Sequence, residues 1–298
     1  MSEDEGGRSI GMKYMKKVTK EDIAATRPDC AAAEGLLSKA AAAGVGKAGR
    51  GAGRVFVLAL LAGMMIGFGA LLMTYVKADQ ELSFAVASVL GGACFSIGLV
   101  FVIVAGAELF TGNSLMIIAL CERKISFGAL LKNWVVVWVG NLGGALLLVA
   151  LVVGCGLMST AAGDNTIGDQ MVAIAQAKVG LEAYEIFFRG ILCNILVCLA
   201  VWMGFAGRTV IDKIFTTILP VMAFVAMGFE HCVANMFLLP MGVIASGEGF
   251  GTAMVTWAEA FYNIGFATLG NLVGGVVFVA LAYWLAYHKK QDAVQEAA

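Results

Sequence analysis

Charge is what this sequence has least of. Only 14% of its 298 residues are Asp, Glu, Lys or Arg, and they are sparse between about residues 55 and 287 while 60% of the chain is hydrophobic. A soluble domain needs a charged surface, so this pattern excludes one and points to a polytopic membrane protein. The net charge of −1 carries no message about partners, because the charges gather at the two ends, and no nucleic-acid partner is expected. There are only two histidines, His231 and His288, and no C-x-x-C pair among the seven cysteines (Cys30, Cys94, Cys121, Cys155, Cys193, Cys198 and Cys232). Metal and disulfide sites are therefore not expected, and most of the cysteines read as small buried hydrophobes. No Ser/His/Asp set or haem-ligand pair is visible, so the chain is not expected to be an enzyme and no cofactor is implied. No secretory signal precedes the first apolar run, which is too long to be one.

What is present is a series of apolar runs long enough for a hydrocarbon core of roughly 30 Å. The first covers Val55–Val76, and the second starts near Leu82 and reaches Ala105. The third runs from about Phe127 to Met158, long enough to require tilt, and the fourth covers roughly Ala183–Phe205. The fifth starts near Val210 and carries Pro220, and the sixth lies near Ala253–Tyr287. Residues 159–181 read as a polar loop with Asp164, Asp169 and Lys178. The expected organisation is an N-terminal segment at 1–53, a six-span channel domain at 54–287 and a tail at 288–298. Within the first segment, residues 29–50 carry Leu36, Leu37 and Ala40 at helical spacing. They read as an amphipathic helix on the membrane surface or as part of a basic tail. Basic residues crowd the N-terminus, the 121–132 and 206–213 loops and the C-terminus. Both termini are therefore expected on the cytoplasmic side.

Two of the runs are interrupted. GAELFTGNSLMI (Gly106–Ile117) and GFEHCVANMFLL (Gly228–Leu239) place glycine, carboxylate and amide groups at membrane depth. Hydrocarbon does not accept free backbone groups, so such breaks must be enclosed by protein or line a watery cavity. The breaks are related. A shift of 122 residues brings Gly106, Glu108 and Asn113 onto Gly228, Glu230 and Asn235, and a shift of 130 brings Gly140-Asn141-Leu142 onto Gly270-Asn271-Leu272. Three spans per half make the repeat inverted, and paired broken helices point to a binding or conduction site near the midplane. Intramembrane Glu108 and Glu230 need partners. Freed backbone N–H groups are the obvious ones, so both carboxylates, with Asn113 and Asn235, are read as braces for their loops. Glycines in the spans allow close helix approach.

His288 reads as an interface residue, whereas His231 sits in the second break. Histidine is the side chain able to exchange a proton near neutral pH, and intramembrane ionisable groups are functional candidates. A site of one histidine, one threonine and apolar walls suits a small monovalent anion that can pass as its neutral acid.

The segments GGACFSIGLVFVIVAGAELFTGN, KNWVVVWVGNLGGALL, RGILCNILVCLAVWMGFAGR and GFEHCVANMFLLPMG resemble the signature segments of the formate/nitrite transporter family, nearest to its formate channels. The similarity covers all six spans. It implies an aquaporin-like all-α protomer, a homopentamer with one pore per protomer, and a bacterial cytoplasmic (inner) membrane location. It also implies roles for particular residues. Leu109 and Phe110 would close the outward constriction, Phe95, Leu99 and Phe224 the cytoplasmic one, and Thr111 would face the substrate beside His231. Lys178 and its partner Asn194 would draw anions into a vestibule. Arg189 departs from the apolar residue usual at its position. Glu185 is a plausible partner at helical spacing, and Arg189 faces either the vestibule or a neighbouring protomer.

The expected function is transport of a small monovalent anion, formate foremost, with Thr111 and His231 binding the anion and able to protonate it. Nitrite, hydrosulfide and short carboxylates are alternative substrates within the family, and a neutral-solute pore is the nearest rival. The prolines, Pro28, Pro220 and Pro240, leave no room for the Asn-Pro-Ala pairs of aquaporins.

Overall fold

The computed structural model describes residues 31–159 and 166–288. The basic stretch up to Cys30, Asp164 in its loop and the Lys289-Lys290 tail lie outside them. All regular structure in the described residues is helical. In chain order the helices are α1 (Ala33–Ala48), α2 (Ala52–Ala78), α3 (Phe84–Ala105), α4 (Gly112–Cys121), α5 (Phe127–Gly154), α6 (Thr166–Val179), α7 (Ala183–Ala206), α8 (Val210–Ala226), α9 (Cys232–Gly247) and α10 (Trp257–His288). Helices α2, α3, α5, α7 and α10 are long and apolar enough to cross a membrane. The 17-residue α8 continues past the second break into α9, as α3 continues past the first break into α4.

The inverted repeat is more complete than the breaks alone suggest. Helices α1 to α5 correspond in order to α6 to α10. In the first half α2 packs on α3 and α5, and in the second α7 packs on α8 and α10. Helix α6 lies in the stretch read from sequence as a polar loop. Its Ile167, Met171, Val172 and Ala175 follow helical spacing and are buried, with Gly242 of α9 pressed against Ala175. Helix α1 plays the matching part. Its apolar stripe, Leu36, Leu37, Ala40 and Ala41, is buried against the protein, and Gly44 brings it onto Ala119 of α4. The amphipathic pattern is thus spent on docking to the half-helix rather than on lipid.

Close approach of spans is made at glycine. A Cβ on Gly144 of α5 would overlap the carbonyl of Leu60 in α2, and one on Gly274 of α10 would overlap the carbonyl of Ile191 in α7. These are repeat-related contacts between backbones, which cannot step aside as a side chain can. In a bilayer, where association of helices draws little on the hydrophobic effect, such contact surfaces hold the bundle. Gly144→Val should therefore lower the thermal unfolding midpoint of the detergent-solubilised protein. The expected loss is about 1–3 kcal/mol of stability. Gly143→Ala, with open space at the added Cβ, should leave the midpoint unchanged.

Candidate functional site: two braced breaks between cationic cavities

Each break begins with a left-handed glycine, Gly106 at φ 84° and Gly228 at φ 70°. A residue with a Cβ is strained there, so glycine lets the chain leave the helix axis. Beyond it the regular ladder stops: Ala107 and Phe229 N–H still reach the Val102 and Phe224 carbonyls, Glu108 and Glu230 N–H turn to the Leu58 and Arg189 carbonyls, and one asparagine from a neighbouring span takes over next. Asn141 Nδ2 donates to the Glu108 carbonyl at 2.9 Å, and its Oδ1 accepts from Phe110 N–H at 2.9 Å. Asn271 does the same for Glu230 at 2.8 Å and Cys232 at 2.9 Å. Each Nδ2 also donates to a carbonyl of the preceding span, Ala59 or Gly190.

The two carboxylates are fully or almost fully buried, and their partners are not the freed backbone amides expected from sequence. Glu108 accepts from Lys47 at 2.8 Å, from Arg50 and from Asn113 Nδ2 at 2.8 Å. Glu230 accepts from Lys178 at 2.8 Å and from Asn235 Nδ2 at 2.6 Å. Asn133 and Asn263 complete the sets by accepting from Asn113 and Asn235. A charge at this depth is tolerated when it is both paired and hydrogen-bonded. The freed amides find other partners: Phe110 and Cys232 N–H donate to Asn141 and Asn271, and Glu108 and Glu230 N–H donate to the Leu58 and Arg189 carbonyls, which leaves the carboxylates to the lysines. Lys47 and Lys178 occupy the last turns of α1 and α6, so the two short helices are tethered to the breaks. Burial draws the Lys47 ammonium below its usual range, and the Glu108 carboxylate opposes that shift. Lys47, Arg50, Asn133 and Asn263 were not singled out from sequence. Lys47 and Lys178 are 131 residues apart, and Asn133 and Asn263 are 130 apart, so the repeat already held the signal.

The half-helices meet at Thr111 and His231, whose Oγ1 and Nε2 lie 3.1 Å apart in a fully buried setting. His231 is the N-cap of α9, and its Nδ1 accepts from Ala234 N–H at 3.0 Å. That bond occupies the Nδ1 lone pair. The neutral imidazole therefore carries its proton on Nε2 and donates it to Thr111. Thr111 keeps its own hydroxyl proton to offer.

A cavity lies against each half. The one below α1, about 270 Å³, is lined by Lys47, Arg50, Lys213, Leu99, Leu109 and Gly112 among others. The one below α6, about 170 Å³, includes Lys77, Lys178, Arg189, Glu230, Phe95, Phe224 and His231. They share no lining residue. Three cations face the first cavity with no carboxylate lining it, and three face the second against one.

The structure sorts the apolar candidates differently from the sequence reading. Leu99 and Leu109 face the α1 cavity, while Phe95 and Phe224 face the α6 cavity. Phe95 and Leu99 are about one helical turn apart, a displacement of ~6 Å along the axis, and they face different cavities. Phe224 lies edge-on to Phe95 and stacks on His231, with centroids 5.8 Å apart in both pairs. Phe110 is buried and lines neither cavity. Asn194 does not meet Lys178. Eleven residues into α7, it lies ~16 Å along the helix from its start. There its Nδ2 donates to the Thr111 carbonyl at 3.2 Å, to Ser114 Oγ and to the Asn271 carbonyl at 2.6 Å. Arg189 is not paired with Glu185, whose carboxylate caps the start of α7. Arg189 faces the α6 cavity and reaches the Gly228 carbonyl at 3.5 Å.

An inverted helical repeat, two broken helices whose halves meet at Thr111 and His231, and a cationic cavity on each side define a membrane transport protein rather than an enzyme. More particularly, the chain belongs to the formate/nitrite transporter family, whose model, described as Formate/nitrite transporter, matches residues 34–285. It is 40% identical over 265 residues to the formate channel FocA of Escherichia coli (strain K12), covering 84% of this chain and 92% of that protein. It is 39% identical over 254 residues to a probable formate transporter of Methanothermobacter thermautotrophicus, covering 80% and 90%. A solved pentameric formate channel with formate bound superposes with a TM-score of 0.70 at 37% identity, covering 79% of this chain and 97% of that one.

The brace can be tested at Glu108. Glu108→Ala leaves Lys47, Arg50 and Asn113 without their acceptor and should cost about 3–5 kcal/mol. A thermal unfolding midpoint in detergent equal to that of the unaltered protein would remove the brace from the account.

Proposed function

We propose that this protein conducts small monovalent anions, formate foremost, through one pore in each protomer of a homopentamer in the bacterial cytoplasmic membrane, with both termini cytoplasmic. The observation that carries the reading is the buried Thr111–His231 contact, 3.1 Å long, with a cationic cavity on either side of it. Cations in both cavities raise the local concentration of an anion without committing it to one direction. Leu99 and Leu109 on one side and Phe95 and Phe224 on the other then oppose the bare ion, since stripping water from a full charge costs far more than a few hydrogen bonds return. Phe110 supports the break from behind.

At the centre the anion accepts from the Thr111 hydroxyl and from His231 Nε2–H. It crosses the apolar rings as its neutral acid. Desolvation itself favours protonation, because burial raises the proton affinity of a carboxylate. For His231 to carry the proton, the imidazolium must hold it at Nδ1, and the Ala234 cap must release. The relay therefore couples proton delivery to movement at the start of α9. Nitrite has the same two-oxygen shape as formate and is the second substrate. Formate is placed first because relatives 40% and 39% identical to this chain carry that substrate in their names.

In proteoliposomes, His231→Asn keeps a side chain able to cap α9 but removes the ring. Proton-linked formate uptake should fall by about tenfold or more, as for loss of a charge-assisted hydrogen bond. Unchanged uptake would remove His231 from the path. In stopped-flow assays of the unaltered protein, formate and nitrite should enter faster than hydrosulfide, and glycerol should be excluded. Rapid glycerol entry would instead indicate a neutral-solute pore.

A further inference from the structure

The inverted repeat allows one half of the molecule to be read against the other, and in one place the halves disagree. In the second half, the start of α7 is closed by its own acids. Glu182 and Glu185 form a capping box over the first turn. Beside it, Asn263 Nδ2 donates to the Lys178 carbonyl at 3.0 Å and approaches Glu230 at 3.3 Å. Asn263 Nδ2 thus has acceptors within the chain.

The first half has the donors without the acceptors. Gly51 precedes α2 in place of Glu182 and gives no side-chain cap. Arg54 stands in place of Glu185, Arg50 in place of Leu181 and Lys132 in place of Tyr262. Asn133, the counterpart of Asn263, is 95% buried, from a relative exposure of 5%, yet its Nδ2 has no partner. Its orientation is not free to reverse. Asn113 must donate to the Glu108 carboxylate, so its second N–H also donates, and Asn133 must accept it through Oδ1. The orphaned group is therefore a donor. Asn133 lines a cleft of about 130 Å³ with Lys47, Arg50, Lys132 and the first turn of α2. Lys132 has no side-chain partner among the described residues. The cleft shares only Lys47 and Arg50 with the α1 cavity, so it lies beside the proposed pore and not on it.

We propose that this cleft binds a phosphate-type oxyanion, held by Asn133 Nδ2, Arg50, Lys132 and the backbone N–H groups that open α2. An uncapped helix start with cations around it is a natural anion site. The unpaired amide at its floor supplies the donor that only a ligand can satisfy. Four donor groups converging from three places, α5, the α1–α2 connection and the start of α2, suit a tetrahedral anion better than a two-oxygen carboxylate. Charge agrees: Lys47, Arg50 and Lys132 against Glu108 leave an excess of two positive charges. Two sources share this chemistry, inorganic phosphate and the headgroup phosphodiester of an anionic phospholipid. Once bound, the oxyanion shares Lys47 and Arg50 with Glu108 and so bears on how α1 holds the first break.

The test uses the full chain, with Asn133→Asp, which keeps the acceptor for Asn113 and removes the donor, and with Lys132→Ala, which touches neither brace nor pore. Thermal unfolding in detergent is followed against sodium phosphate, with sodium chloride at matched ionic strength as reference. Native mass spectrometry follows protein released from nanodiscs of phosphatidylglycerol or phosphatidylcholine. A saturable phosphate shift, weakened about tenfold or more in both variants, supports the site with free phosphate as ligand. A silent phosphate titration with retained phosphatidylglycerol, lost from both variants, supports it with a lipid headgroup. Neither effect, or equal effects in the unaltered protein and Lys132→Ala, overturns it. Should Asn133→Asp fail to fold, Lys132→Ala alone decides, and its formate uptake should match that of the unaltered protein.

Discussion

Everything in this molecule depends on keeping backbone amides satisfied where two helices stop inside an apolar region. In water the solvent would do this. In hydrocarbon each unpaired amide costs several kcal/mol, so the chain must supply its own partners. Asn141 and Asn271 each bridge a carbonyl and an N–H across a break, taking the place of two backbone partners. Their side chains are short and rigid enough to do so only because the spans that carry them approach closely. The glycine contacts of α2 with α5 and of α7 with α10 make that approach possible. Close packing and polar bracing are thus one device.

The carboxylates build a second layer on the first. Glu108 and Glu230 do not hold the loops directly. They collect the side chains of Asn113 and Asn235 on one side and lysines on the other. Through the lysines they draw α1 and α6 into the structure, so the breaks and the cavities beside them are positioned together. This arrangement leaves the central pair free of bracing duty. Thr111 offers a hydroxyl, His231 offers Nε2–H, and neither is needed to keep the chain folded apart from the cap that His231 gives α9. His231 Nε2–H is engaged only with Thr111, and the Thr111 hydroxyl proton is left over.

The repeat is only approximate, and its departures are informative. Arg50 joins Lys47 on Glu108 where the second half has Leu181, and three cations surround the uncapped start of α2 where the second half has acids at the start of α7. The start of α2 is therefore richer in positive charge than the start of α7.

Much of this was legible in the order of residues. Apolar runs set by bilayer thickness gave the spans, and the shifts of 122 and 130 residues gave the two breaks and their pairing. Gly106 and Gly228 marked the breaks in the sequence, while their left-handed turns are seen only in the structure. Other features required the tertiary structure. Lys47 reaches Glu108 across 61 residues and Lys178 reaches Glu230 across 52, and no local pattern reports a contact at that range. Helix α6 was hidden because a short amphipathic helix that docks on the protein has the composition of a polar loop. Asn194 and Lys178 looked like neighbours until the rise of α7 carried them apart. Leu99 and Phe95 looked like one barrier until a single helical turn placed them in different cavities. Sequence determines what each helix can bury and where it must break, because those are properties of nearby residues. Which buried groups meet is decided by how the helices cross, and only the folded chain carries that.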